Sequence, residues 1–344
     1  MSTVLRRDAE RLAAWGVLLC GALLALAVAV SAGTARPSDA RPAADTRFAF
    51  AVAADMRSYA GPGPYDTPHY FRGAAQAIAP LGAAFLVTPG DMDPVSGAYW
   101  TITSTLGTIP WYPAVGNHEL PGQGREPAFG ANLAWLNAYD YGAVNPGPTG
   151  CPTTTYSFDH ANAHFVVLNE YCDAAGDHAT DGDIPDHLYN WLVADLAATT
   201  QEHIFVFGHE PAYPLPDADN GRVRHTTDSL NAHPSHRDRF WALLQSVGVR
   251  AYICGHTHNY SAARIGGVWQ TDAGHARGLG DPGAPSTFVV VYVDGGLVRF
   301  HAYRDDAAGG AYRVRHMGYL HPDERLYLPL AIGGKPLPDR IVSW

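Results

Sequence analysis

Apolar positions in this chain fall in short continuous runs, and most of those runs stop at a polar residue with metal-ligating chemistry. The first is FAFAVAAD, Phe48 to Asp55, and the second is AAFLVTPGD, Ala83 to Asp91. Trp111 to Val115 is followed by Gly116-Asn117-His118-Glu119, and Ala163 to Asn169 forms a fourth run. HIFVFGHEP runs into Gly208-His209, and AYICGHTHNY runs into Gly255-His256-Thr257-His258. Continuous apolar runs of this length predict strands buried on both faces. Between them, helical spacing predicts helices over His69–Leu81, Asp186–Ala198 and Arg237–Val247. Leu188, Trp191, Leu192 and Leu196 share one side of the second, and Phe240, Leu243 and Leu244 share one side of the third. Near the C-terminus, STFVVVYVDGGLVRFHAYRD predicts two strands joined by a turn at Gly295-Gly296.

The alternation of strands and helices predicts an α/β fold. In open α/β sheets ligands bind beyond the carboxyl ends of the strands. Runs that each end in a polar side chain would therefore deliver those side chains to one shared edge. The stretches Leu120–Thr155 and Pro211–Ser235 are rich in Pro and Gly and predict loops over that edge. There is no internal repeat.

The N-terminus has a different pattern. Arg6, Arg7 and Arg11 precede an uncharged run from Leu12 to Ala35. Residues 1–35 therefore predict a signal peptide or an N-terminal membrane anchor, since a bilayer is spanned by about 20 apolar residues. Small-x-small cleavage candidates end at Ala32 and Ala35. Residues 36–46, rich in Ala, Pro, Asp and Arg, predict a flexible linker, and 47–344 a single catalytic domain. The chain is thus expected to be exported, to a periplasmic or extracellular space, or anchored facing outside. In such an oxidising compartment Cys151 and Cys172, which flank a short candidate hairpin, predict a disulfide. Cys254, inside an apolar run, predicts a buried free thiol.

Composition narrows the function. Of 344 residues, 47% are hydrophobic and 16% charged, which excludes a disordered chain. The formal net charge of −10 without basic blocks argues against a nucleic-acid partner. There are 17 His residues, and neutral imidazole is the commonest metal-ligating side chain.

Taken singly, each polar terminus has an ordinary reading: Gly90-Asp91 as a turn, Gly116-Asn117 as a helix cap, Gly208-His209 as a strand end. Together Asp55, Asp91, Asn117, His209, His256 and His258 are an oxygen and nitrogen ligand set suited to zinc, manganese or iron. Asp91 could bridge two cations about 3.5–4 Å apart, which would bind phosphate and lower the pKa of a shared water. His118 is then available as a proton donor to a leaving oxygen, with Glu119 or another acid to orient it.

This order of motifs, from Asp55 through Gly90-Asp91, Gly116-Asn117-His118-Glu119 and Gly208-His209 to Gly255-His256-Thr257-His258, resembles the calcineurin-like metallophosphoesterase superfamily. The Gly-His-Thr-His-Asn-Tyr run makes it most similar to the purple-acid-phosphatase branch. The resemblance implies a four-layer α/β/β/α sandwich and metal-dependent hydrolysis of a small phosphorylated substrate. It implies that Asp55, Asp91 and His258 hold a first metal, that Asp91 bridges, and that Asn117, His209 and His256 complete a second. His118 would be the acid.

Two positions depart from the pattern. Arg57 stands where many relatives have a His ligand, and Pro94 where the purple enzymes have a Tyr. Arg57 cannot ligate a cation but can grip a phosphate through paired hydrogen bonds. Arg222, Arg224, His225, His233 and His236 are loop candidates for the site entrance. The alternative reading is a catalytically inactive binding module on the same fold. A β-lactamase-like metallohydrolase would need His-x-His-x-Asp-His, and Asn259-Tyr260 follow His258 instead.

Overall fold

The computed structural model describes residues 46–56, 61, 67–121, 131–172, 181–305 and 310–320. Residues 1–45, which hold the predicted leader and almost all of the linker, and Arg57 lie outside the described residues. Thirteen strands among those described form two sheets. The first has the order β13 (Arg313–Tyr319), β12 (Leu297–Arg304), β11 (Thr287–Asp294), β1 (Arg47–Val52), β2 (Leu86–Thr88), β3 (Trp111–Pro113). The second has the order β4 (Asn145–Pro146), β5 (Tyr156–His160), β6 (Ala163–Val167), β7 (His203–Phe207), β8 (Ala251–Cys254), β10 (Val268–Ala273), β9 (Tyr260–Ile265).

Three apolar cores establish the layering. Along β1 the side chains alternate. Phe50 and Val52 join Phe85, Val87, Phe165, Phe205, Phe207, Val289 and Val291 in a core that draws on both sheets. Ala49 and Ala51 face the other way, against α1 (Phe71–Ile78), α2 (Val95–Leu106) and α3 (Ala131–Ala138). On the far side, Val166, Val206, Tyr252 and Cys254 meet Leu188, Leu192 and Leu196 of α4 (Asp186–Ala198) and Phe240, Trp241 and Leu244 of α5 (Pro234–Val247). The result is the four-layer α/β/β/α sandwich. Burial of this kind contributes about 25 cal/mol per Å² of apolar surface removed from water.

Strands β1, β2 and β3 run parallel, and so do β6, β7, β8 and β10. Their carboxyl ends lead into the loops that carry the polar residues singled out above. Strands β1 and β3 end before the apolar runs that predict them, and β2 also starts three residues into its run. The predicted hairpin is present, with β11 and β12 joined through Gly295-Gly296. The 120–155 stretch differs from expectation by containing α3 and β4. Leu133 and Leu136 bury α3, while Trp135 and Tyr139 pack with Tyr99 and Trp111. The 211–235 stretch is irregular apart from one short turn of helix at Leu230–Ala232 and the start of α5 at Pro234. Cys151 and Cys172 form a disulfide bracketing the β5–β6 hairpin, and Cys254 is a buried free thiol. No helix among the described residues is long and apolar enough to cross a membrane.

Candidate metal centre

Asp55 follows β1, Asp91 follows β2, and Asn117 and His118 lie on a helical turn after β3. His209 follows β7, and His256 and His258 follow β8. Six non-glycine residues among those described have positive φ. Four are Asp55 (52°), Asp91 (57°), His256 (70°) and His258 (58°), and a fifth, His225 (51°), packs against His256 with ring centroids 4.2 Å apart. Left-handed backbone is costly for side-chain-bearing residues and persists where surrounding structure enforces it, commonly at functional sites. The glycines beside the ligands allow this crowding. A Cβ on Gly90 would lie 2.5 Å from His209 Nδ1, and one on Gly255 would lie 2.4 Å from Asp55 Oδ2.

The hydrogen bonds then fix which atoms face inward. His209 Nδ1 lies 2.7 Å from the Pro89 carbonyl, which can only accept, so Nδ1 carries the proton and Nε2 of the neutral ring does not. His256 Nε2 lies 2.8 Å from the Asp228 carbonyl, so Nδ1 of its neutral ring is likewise unprotonated. These two lone-pair nitrogens face each other at 3.2 Å. Asn117 Oδ1 is 3.2 Å and Asp91 Oδ1 3.5 Å from the same His209 Nε2. Three further electron donors thus lie within 3.5 Å of His209 Nε2, an arrangement that suits a cation.

A second convergence lies beside it, where Asp55, Asp91 and His258 bring ligand atoms within 4.8 Å of one another. His258 Nδ1 lies 2.7 Å from Asp281 Oδ2, which leaves Nε2 turned to Asp55 Oδ1 at 3.6 Å. Burial pushes the His256 pKa down to about 3, helped by His209 and His225. Burial also holds His258 well below the usual histidine range, against the opposing bond to Asp281. Both rings are therefore neutral and able to ligate.

Neighbouring groups hold the ligands in place. Asp55 Oδ2 accepts the His256 backbone N–H, tying the two sheets together across the site. Asp91 Oδ1 accepts the His118 N–H. His118 sits at the rim with its side chain 18% exposed and Nε2 3.9 Å from Asp91 Oδ2. Glu119, expected as an orienter of His118, instead accepts the backbone N–H groups of Asp91, Met92 and Gly116 at 2.9, 2.7 and 2.7 Å.

Sequence reasoning missed Glu170 and Asp281. Glu170 accepts the N–H groups of His209 and Glu210, and its signal was available, since it follows the apolar run ending at Asn169. Asp281 sits in a Gly- and Pro-rich turn with no such signal. Of the loop candidates, Arg222 borders His258, His225 borders His256 and Arg224 bonds to Asp281, whereas His236 pairs with Asp183.

The fold and this pair of convergent ligand sets define a metallophosphoesterase. The family model for calcineurin-like phosphoesterases matches residues 50–260, and the chain belongs to that family. It is a hydrolase acting on phosphoric ester bonds, and the family implies a dinuclear metal centre. Among curated proteins it is similar to tartrate-resistant acid phosphatase type 5 of Mus musculus, 25% identical over 76% of this chain and 80% of the relative. The same enzyme of Rattus norvegicus is 30% identical over 69% of this chain and 72% of the relative. In fold the chain is similar to purple acid phosphatase PPD1 from yellow lupin (Lupinus luteus), with TM-score 0.59 at 16% identity. That match covers 80% of this chain and 54% of the lupin protein, so this chain spans about half of that one. A dimetal phosphatase from Danio rerio matches with TM-score 0.52 at 16% identity, over 77% of this chain and 98% of that one.

Proposed function

We propose that the chain hydrolyses a small phosphate ester at a two-cation centre in which Asp55, Asp91 and His258 hold one cation. Asp91, Asn117, His209 and His256 hold the other. The observation that carries this reading is the pair of unprotonated nitrogens, His209 Nε2 and His256 Nδ1, facing each other at 3.2 Å with Asn117 Oδ1 and Asp91 Oδ1 beside them. Without a positive charge between them these lone pairs repel. When bound, the two cations supply Lewis acidity toward phosphoryl oxygens and make hydroxide available near neutral pH. The donor types suit iron, zinc or manganese.

The remaining roles belong to the chain's own groups. His118, half-buried at the rim beside Asp91, donates a proton to the leaving oxygen. Its backbone bond to Asp91 keeps the donor next to the bridging carboxylate. Arg57, two residues after Asp55, grips the substrate phosphate. The protein is exported, a reading supported by the charged-then-apolar N-terminus and the Cys151–Cys172 disulfide. Finding the protein confined to the cytoplasm of its cell would overturn that.

Asp91→Asn tests the centre. It should abolish phosphatase activity and lower metal content, because one neutral amide cannot offset two cations. Near wild-type turnover with normal metal content would refute the assignment. Absence of any phosphatase activity in the wild-type chain supplied with Mn²⁺ or Zn²⁺ would favour the binding-module alternative.

A further inference from the structure

Among the described residues the first ligand set holds three side chains, Asp55, Asp91 and His258. A set with few donors gains from making each of its ligands stronger. His258 is the place to do so, because it is the one neutral ligand of the three. Its Nδ1 donates to Asp281 Oδ2 at 2.7 Å. A carboxylate behind an imidazole fixes the tautomer, orients the ring and raises the basicity of the far nitrogen.

Asp281 is itself held by several donors. Arg222 Nη1 donates to Oδ1 at 2.7 Å and Nη2 to Oδ2 at 3.3 Å. Arg224 Nη1 donates to Oδ2 at 3.2 Å, and the Gly283 N–H donates to Oδ1 at 3.0 Å. Arg222 also donates to the His258 carbonyl at 2.9 Å and to Asn259 Oδ1 at 2.7 Å. One guanidinium therefore grips both the carboxylate and the backbone of the residue whose ring that carboxylate orients. The distance between ring and carboxylate is set by this clamp, at a residue whose own φ of +58° the chain would not adopt unaided.

We propose that Asp281 is a positioning residue that strengthens His258 as a ligand to the first cation, with Arg222 and Arg224 holding it in place. The proposal rests on the reading that Asp55, Asp91 and His258 bind a cation. It assigns a metal-tuning role to a residue that lies 23 positions beyond His258, outside every recognisable motif.

Asp281→Asn separates charge from geometry, since the Asn oxygen can still accept from Nδ1. Zn²⁺ titration of the metal-free full-length chain against a competing chelator should give two cations bound in the wild type. In D281N one of the two cations should lose about 10–100-fold in affinity while the other is retained. Two cations bound in D281N with affinities within about twofold of wild type would overturn the proposal and leave the centre intact. A wild-type chain that takes up only one cation, or none, would overturn both. A second measurement needs no Asp281 variant. In the metal-free wild type, the ring nitrogen resonances lost in His258→Gln should report the Nδ1–H tautomer, and the Nε2–H tautomer there would defeat the proposal.

Discussion

Glu119 offers the sharpest test of how the site is held. Its buried carboxylate accepts three backbone N–H groups, with Oε2 taking those of Asp91 and Gly116 and Oε1 that of Met92. Burial and the neighbouring Asp91 charge push its pKa up, and the three N–H bonds work against them. These bonds fix Asp91 at φ +57°, the conformation that aims its carboxylate between the two ligand sets. In Glu119→Gln the amide oxygen can keep two of the donors, but its NH2 then meets the Met92 N–H, donor against donor. A hydrogen bond to a charged acceptor contributes about 1.5–3 kcal/mol, and a stranded buried N–H costs about 1–3 kcal/mol. Because these overlap, the total loss is about 2–4 kcal/mol. For a domain of this size each kcal/mol moves Tm by about 2 °C, so the metal-free variant should melt roughly 4–8 °C lower. Calorimetry of metal-free wild type and variant measures this, and metal titration should show weaker binding as Asp91 relaxes. A Tm within about 1 °C of wild type, with metal affinity unchanged, would refute the reasoning.

Two further outcomes follow from the geometry of the described residues, and one from the sequence position of Arg57. His118→Ala should keep its metals and lose about 10²–10⁴-fold in rate, with a smaller loss on nitrophenyl esters than on alkyl esters; equal losses would argue against the acid role. Arg57→Ala should raise KM or lower kcat at unchanged metal content, and an unaltered kcat/KM would remove Arg57 from the site. His164 is desolvated by burial, but its bonds to Asp195 and Asp159 outweigh that and raise its pKa above 6.5. A raised folded pKa means the stabilisation is full below the unfolded value and fades as pH climbs through the folded one. Urea unfolding should therefore show His164→Gln more destabilising near about pH 5.5 than near about pH 8.5, and the reverse order would contradict the assignment.

What was legible in the sequence was the part written in local pattern. Strands buried on both faces, as β1, β7 and β8 are, have to be apolar throughout, so FAFAV, HIFVF and AYIC could be read directly. The residues after them could be read as one site because parallel strands send their carboxyl ends to one edge. Helix α3 was hidden because Pro- and Gly-rich sequence surrounds Leu133 and Leu136, and because its packing depends on Tyr99 and Trp111, distant in the chain. Sequence adjacency suggests Glu119 as a partner of His118, but its partners are backbone N–H groups, two of them in a loop 27 and 28 residues away. Asp281 reaches His258 only through the fold, from a turn that local composition marks as a connection and nothing more.

The proposed centre holds two cations that share Asp91. Crystals of the wild-type chain grown with Zn²⁺ or Mn²⁺ and measured at the metal's absorption edge test it directly. Two anomalous peaks about 3.5–4 Å apart are expected. One should be contacted by Asp55, Asp91 and His258, and the other by Asp91, Asn117, His209 and His256. A single peak, or a pair whose ligands do not include Asp91 in common, would contradict it.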